Sequence, residues 1–208
     1  MKINTQIIKK SGAVLLSAAL LAGCAVEGQV AETTAFSSET EHLKNQGSTV
    51  TYEVNPEDFS LSIGNGTITV PVSLPGKEYR TAEFTEDGKE TRWKYPDEHI
   101  SVSIKPEEDY LRVTITSETQ EDNQFTWPYV SGSSYYLPFG EGKRIPGNDP
   151  AWTGYLKGNE FSVLEQLSMP FWAAVNGDHA VLYIMEHPFR SSLVFAEEEP
   201  VQFGLSHR

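Results

Sequence analysis

Cysteine is nearly absent. Cys24 is the only one among 208 residues, so no internal disulfide can form and the fold must rest on packing alone. Positive charge is also scarce: 16 Lys and Arg stand against 29 Asp and Glu, for a formal net charge of −13. Such a balance repels nucleic acid and anionic lipid, and it argues against nucleic acid as a partner. No apolar run reaches the ~20 residues that a transmembrane helix needs. Histidines 42, 99, 179, 187 and 207 are scattered with no pair three or four apart, which leaves a histidine-ligated metal without support. No Ser lies in a Gly-x-Ser-x-Gly elbow, and Gly140-Glu141-Gly142-Lys143-Arg144 lacks both the spacing and the Ser or Thr of a phosphate-binding loop.

What is present begins at the N-terminus. Lys2, Lys9 and Lys10 form a basic start, Ala13 to Leu21 is apolar, and Leu21-Ala22-Gly23-Cys24 follows. This order resembles a bacterial lipoprotein signal, in which the Cys is lipidated after cleavage before it. The resemblance implies a signal over residues 1–23, lipid attachment at Cys24, and a protein held at the cell membrane on its extracytoplasmic side. An ordinary secretory signal, with Cys24 an incidental thiol, is the alternative. Loss of residues 1–23 removes three lysines and no acidic residue, taking −13 to −16.

Residues 24–48 are polar, rich in Ser, Thr and Glu, and without periodicity, as expected of a disordered tether. From residue 49 to 208 the pattern changes to short runs with a period of two, broken by Gly, Pro, Asn and Asp. Thr49–Val54, Phe59–Ile63, Thr67–Leu74, Arg92–Tyr95, His99–Ile104 and Tyr110–Thr116 each read as half-buried strands. Asn65-Gly66 marks a tight hairpin turn. Glu160–Leu164, Ala180–Met185, Ser192–Ala196 and Val201–Leu205 read as further strands, and Val163–Leu167 has the only helix-like spacing. The expected fold is all-β, an antiparallel β-sandwich of one domain, following an N-terminal signal helix and the tether.

Between Gln124 and Trp172 the chain becomes rich in aromatic residues, interleaved with Gly and Pro, and reads as loop-rich. Two readings stand. Trp127, Tyr135, Tyr136 and Trp152 present ring faces to a sugar, with Asn148, Asp149 and Glu141 bonding its hydroxyls. Alternatively, the rings close the open end of the fold as core. Glu141 and Asp149 are candidates for a general acid and base pair, and His187, directly after an apolar strand, is a third candidate. No cofactor is expected, although an oxygen-ligand calcium site among the acidic loops stays open. A glycan is the candidate ligand.

The stretches SYYLPFGEGKRIPGNDPAW from Ser134 and MPFWAAVNGDHAVLYIMEHPF from Met169 resemble a segment of large extracellular bacterial glycoside hydrolases. There it lies in an N-terminal, sugar-mutarotase-like β-sandwich of the supersandwich type, ahead of a catalytic (β/α)-barrel. The resemblance implies a role in carbohydrate binding or processing, and it carries no catalytic residue into this chain. It also implies that catalytic carboxylates lie beyond Arg208. A small glycosidase or sugar epimerase working within the sandwich, and an interaction lipoprotein without a sugar ligand, are the competing functions.

Overall fold

A computed structural model of the chain describes residues 2–9, 50–64, 68–87, 89–119, 124–196 and 202–207. Among them are sixteen strands and one short helix, and every strand pair is antiparallel. One sheet holds β2 (Thr51–Asn55), β3 (Ser60–Gly64) and β4 (Thr69–Ser73) in that order. Pro71 sits on its edge strand, where a missing N–H costs no ladder bond.

The largest sheet has nine strands, and chain order is broken within it. One half contains β5 (Ala82–Glu86), β6 (Thr91–Tyr95), β7 (Ile100–Pro106) and β8 (Leu111–Ser117) as a meander. The other half runs from β11 (Lys143–Pro146) through β10 (Ser134–Leu137) and β13 (Phe171–Asn176) to β14 (His179–Met185). Between β14 and β8 lies β1 (Lys2–Lys9), paired with both. A four-stranded sheet places β12 (Glu160–Ser162), β15 (Ser191–Phe195), β16 (Gln202–His207) and β9 (Phe125–Ser131) side by side.

Alternation along the strands builds the core. In β6, β7 and β8 the inward residues are Trp93 and Tyr95, then Ile100, Val102 and Ile104, then Leu111, Val113 and Ile115, all buried. Burial of each such side chain stabilises the fold by about 1.5–3 kcal/mol. Hydrogen bonds from buried aromatics cross this core. Tyr183 of β14 donates from its hydroxyl to the Val72 carbonyl of β4 at 2.7 Å, and Trp127 Nε1 donates to the Phe59 carbonyl at 2.9 Å. Trp127 also stacks on Phe59, with centroids 4.4 Å apart.

Several elements differ from expectation. Lys2–Lys9 is a strand rather than the start of a signal helix. Its β-branched Ile3, Thr5, Ile7 and Ile8 favour extended backbone; β14 pairs along Ile3–Lys9 and β8 along Lys2–Thr5. The aromatic segment carries β9, β10, β11, β12 and the start of β13, joined by turns and loops. Its helix, α1 (Pro150–Leu156), was not foreseen. Val163–Leu167 forms turns, with Gln166 N donating to the Ser162 carbonyl at 3.0 Å. β3 and β4 pair as a hairpin, although Asn65-Gly66 lies outside the described residues, as do Cys24 and the 24–48 tether. Among the described residues no helix is long and apolar enough to cross a membrane.

Candidate functional site

The period of two that buries one face of β6, β7 and β8 sets a polar ladder on the other. Arg92 lies opposite Ser103, which lies opposite Thr114; Lys94 lies opposite Ser101, which lies opposite Thr116. These side chains line a cavity of about 490 Å³ together with Glu83, Phe84 and Thr85 of β5 and with Glu90. The volume falls in the range of small-molecule sites.

Two local features shape its rim. In β5 the register shifts between Ala82 and Thr85, and Glu83 adopts a left-handed backbone with φ of 54°, a conformation that costs a non-glycine residue about 1 kcal/mol or more. The bulge accompanies a Phe84 ring that is 52% exposed, unlike most phenylalanines. On the far side of the turn, Asp87 Oδ1 accepts from the N–H groups of Lys89 and Glu90, each at 2.9 Å. Those bonds hold the Asp87 carboxyl below the usual carboxylate range and fix where Glu90 enters β6.

The charges of the cavity are paired within it. Arg92 donates to Glu90, and this bond, with a further one from Ser103, holds the Glu90 carboxyl below its ordinary range despite some opposing desolvation. Lys94 Nζ lies 2.7 Å from Glu83 Oε2 and 3.6 Å from Glu118 Oε1, and the Glu83 bond raises the Lys94 pKa. Exposed pairs of this sort add little stability. The cavity thus offers paired donors and acceptors, five hydroxyls and the exposed Phe84 ring, a set that matches a polyhydroxylated neutral ligand. Glu90 is shifted downward, opposite to the raised pKa that a general acid requires.

The residues singled out in the sequence are placed elsewhere. Trp127 and Tyr135 are 1% and 0% exposed, which corrects their assignment as sugar platforms. Trp127 is covered by Phe59, and the Tyr135 hydroxyl accepts from Gly132 N at 2.8 Å, so neither ring has a face to offer. Tyr136 alternates to the outside of β10 and is 47% exposed. Trp152 is half-buried on α1, stacked near Phe139 and edge-on to Tyr155, with centroids 6.4 Å and 5.9 Å away. Phe161 and Phe195 continue this cluster, so much of the aromatic segment packs upon itself.

The candidate acid–base residues do not assemble into a dyad. Asp149 is the N-cap of α1, its Oδ1 accepting from Ala151 N at 3.0 Å and Trp152 N at 3.4 Å. Glu141 is exposed in the turn between β10 and β11, and His187 is exposed just after β14. A hollow of about 280 Å³ beside α1 is lined by Gly147, Asn148, Pro150, Thr153, Gly154 and Lys157, without a carboxylate. Among the described residues no three His, Cys, Asp or Glu side chains converge as metal ligands would.

The polar ladder was only half legible. Alternating Ser, Thr, Arg and Lys mark each wet face in the sequence, but the two rows exist only once β6, β7 and β8 pair in this register. No protein-family model, curated protein or solved structure matches this chain.

Proposed function

We propose that this chain is a lipid-anchored, extracytoplasmic β-sandwich that binds carbohydrate without hydrolysing it, in the manner of a non-catalytic N-terminal domain of a glycoside hydrolase-like protein. The observation that carries the binding role is the ladder Arg92–Ser103–Thr114 and Lys94–Ser101–Thr116, lining one cavity with the exposed Phe84 ring. A sugar presents C–H faces to a ring and hydroxyls to paired ions and alcohols, and this cavity holds both kinds of partner. The sandwich arrangement draws support from the continuous core and from the Tyr183 bond that brings β14 against β4. Anchoring draws support from the run of Lys2, Lys9, Lys10 and the apolar stretch ending at Cys24.

Calorimetric titration with neutral xylo-, cello-, malto- and chito-oligosaccharides tests the binding role. Saturable binding that is lost in Arg92→Ala and kept in Tyr155→Ala is expected; no binding by the parent chain across the panel removes the glycan reading. Anchoring is tested separately, by expressing Cys24→Ala in a bacterial host and following release of the protein from the membrane fraction.

A further inference from the structure

The nine-stranded sheet is continuous only because of Lys2–Lys9. Seven of its residues pair with β14, from Ile3 opposite Met185 to Lys9 opposite His179. Four pair with β8, from Lys2 opposite Thr114 to Thr5 opposite Leu111. In the sheet order β14 and β8 are not neighbours, so they stand one strand apart, about 9.5 Å at ordinary spacing. Ion pairing bridges this gap at one end: Arg112, opposite Asn4, reaches Glu186, which follows the Met185 opposite Ile3.

Without β1, both walls of this gap become open strand edges, and an added extended backbone is the partner that pairs with both at once, as Ile3, Asn4 and Thr5 do. The same Lys2 and Lys9 belong to the basic start of the export signal. A chain processed before Cys24 therefore loses the strand that fills its own sheet.

We infer that the gap between β8 and β14 is a strand-acceptor slot, filled by residues 2–9 while they remain attached and, after processing, by an extended segment of another polypeptide. The segment runs antiparallel to both walls and carries β-branched residues at alternate positions, as Ile3, Thr5 and Ile7 do. The second half of this inference rests on the removal of residues 1–23 put forward above. It is independent of the glycan reading, because the slot and the polar cavity are probed by different ligands.

The test uses the full chain with its apolar run, residues 13–22, replaced by a protease-cleavable linker and cut after folding. A fluorescent peptide with the sequence of residues 2–9 is then offered in trans. The expected result is that the cut N-terminal fragment stays bound on gel filtration, that excess labelled peptide displaces it saturably, and that a Thr5→Pro peptide competes at least about tenfold more weakly. Thr5 faces both Tyr183 and Leu111, and proline there removes an N–H from the ladder. Exchange of N-termini between two copies of the uncut chain also supports the slot, since a strand then enters from another chain. Release of the fragment with unchanged melting temperature and no peptide uptake overturns it, as does equal competition by the proline peptide. Mass analysis of the exported protein reports independently whether its N-terminus is Cys24.

Discussion

Tyr183→Phe isolates one hydrogen bond that ties the largest sheet to the sheet of β2, β3 and β4. Tyr183 is 1% exposed, its ring stacks on Trp172 with centroids 5.7 Å apart, and its hydroxyl donates to the Val72 carbonyl at 2.7 Å. Phenylalanine keeps the ring and its stacking while removing the donor and leaving the Val72 carbonyl short of a partner in the core. The cost of such a loss is about 1–3 kcal/mol. For a folded region of this size each kcal/mol lowers Tm by about 2–4 °C, so the variant melts roughly 2–12 °C below the parent by circular dichroism or calorimetry. Tyr136→Phe, at an exposed position on β10, is the control and leaves Tm within about 2 °C. Equal Tm values for the two variants would refute the claim that β14 packs against β4 through this contact.

Other outcomes follow from the same geometry. Trp127→Ala removes a buried indole stacked on Phe59 and bonded to its carbonyl and destabilises the fold by about 3–5 kcal/mol, read by denaturant unfolding, whereas Phe84→Ala at the cavity rim changes stability by no more than about 0.5 kcal/mol. Asp149→Ala removes the α1 cap at about 0.5–2 kcal/mol while oligosaccharide binding persists, and Asp149→Asn restores most of the stability. Burial raises the pKa of Tyr79, Tyr95, Tyr135 and Tyr183. Because these folded-state values lie above the unfolded value near 10, stability is retained below about pH 10 and lost as pH rises past it, when only the unfolded chain sheds those protons. Absorbance at 295 nm then shows the four ionising together with unfolding. At the acid end Glu90 is shifted down by Arg92 and Ser103, so its pairing in the cavity survives below the usual glutamate range and is lost only as pH falls through the lowered value. Glu90→Gln accordingly leaves the shape of the affinity profile unchanged across the usual glutamate range, read by titration with oligosaccharide as pH is lowered.

Much of the fold was legible because alternation is a local signal. TRWKY, ISVSI and LRVTIT separate into buried and wet faces without reference to any neighbour. The strands inside the aromatic segment were hidden because glycine and proline occur within and between them as well as in turns. Gly132 comes so close to the Val175 carbonyl that an added Cβ would sit 3.1 Å from it, a packing role that composition cannot distinguish from a loop. Helix α1 did leave a signal, Asp149 before Pro150, the pairing of an N-cap acceptor with a first-turn proline. Ring exposure was not legible at all. Trp127 and Tyr136 look alike as aromatic residues in the segment, yet strand direction buries one and exposes the other. The ladder beside Phe84 and the slot beside β14 both depend on which strands pair, information that lies between segments rather than within any one of them.

The most direct measurement of the proposed binding role is a hydrogen–deuterium exchange footprint taken with a neutral oligosaccharide that saturates the chain in the titration. Protection confined to residues 83–94, 101–103 and 114–116 is the predicted result. Protection over residues 136–157, with the β5 to β8 face unchanged, would contradict it and return the site to the aromatic segment.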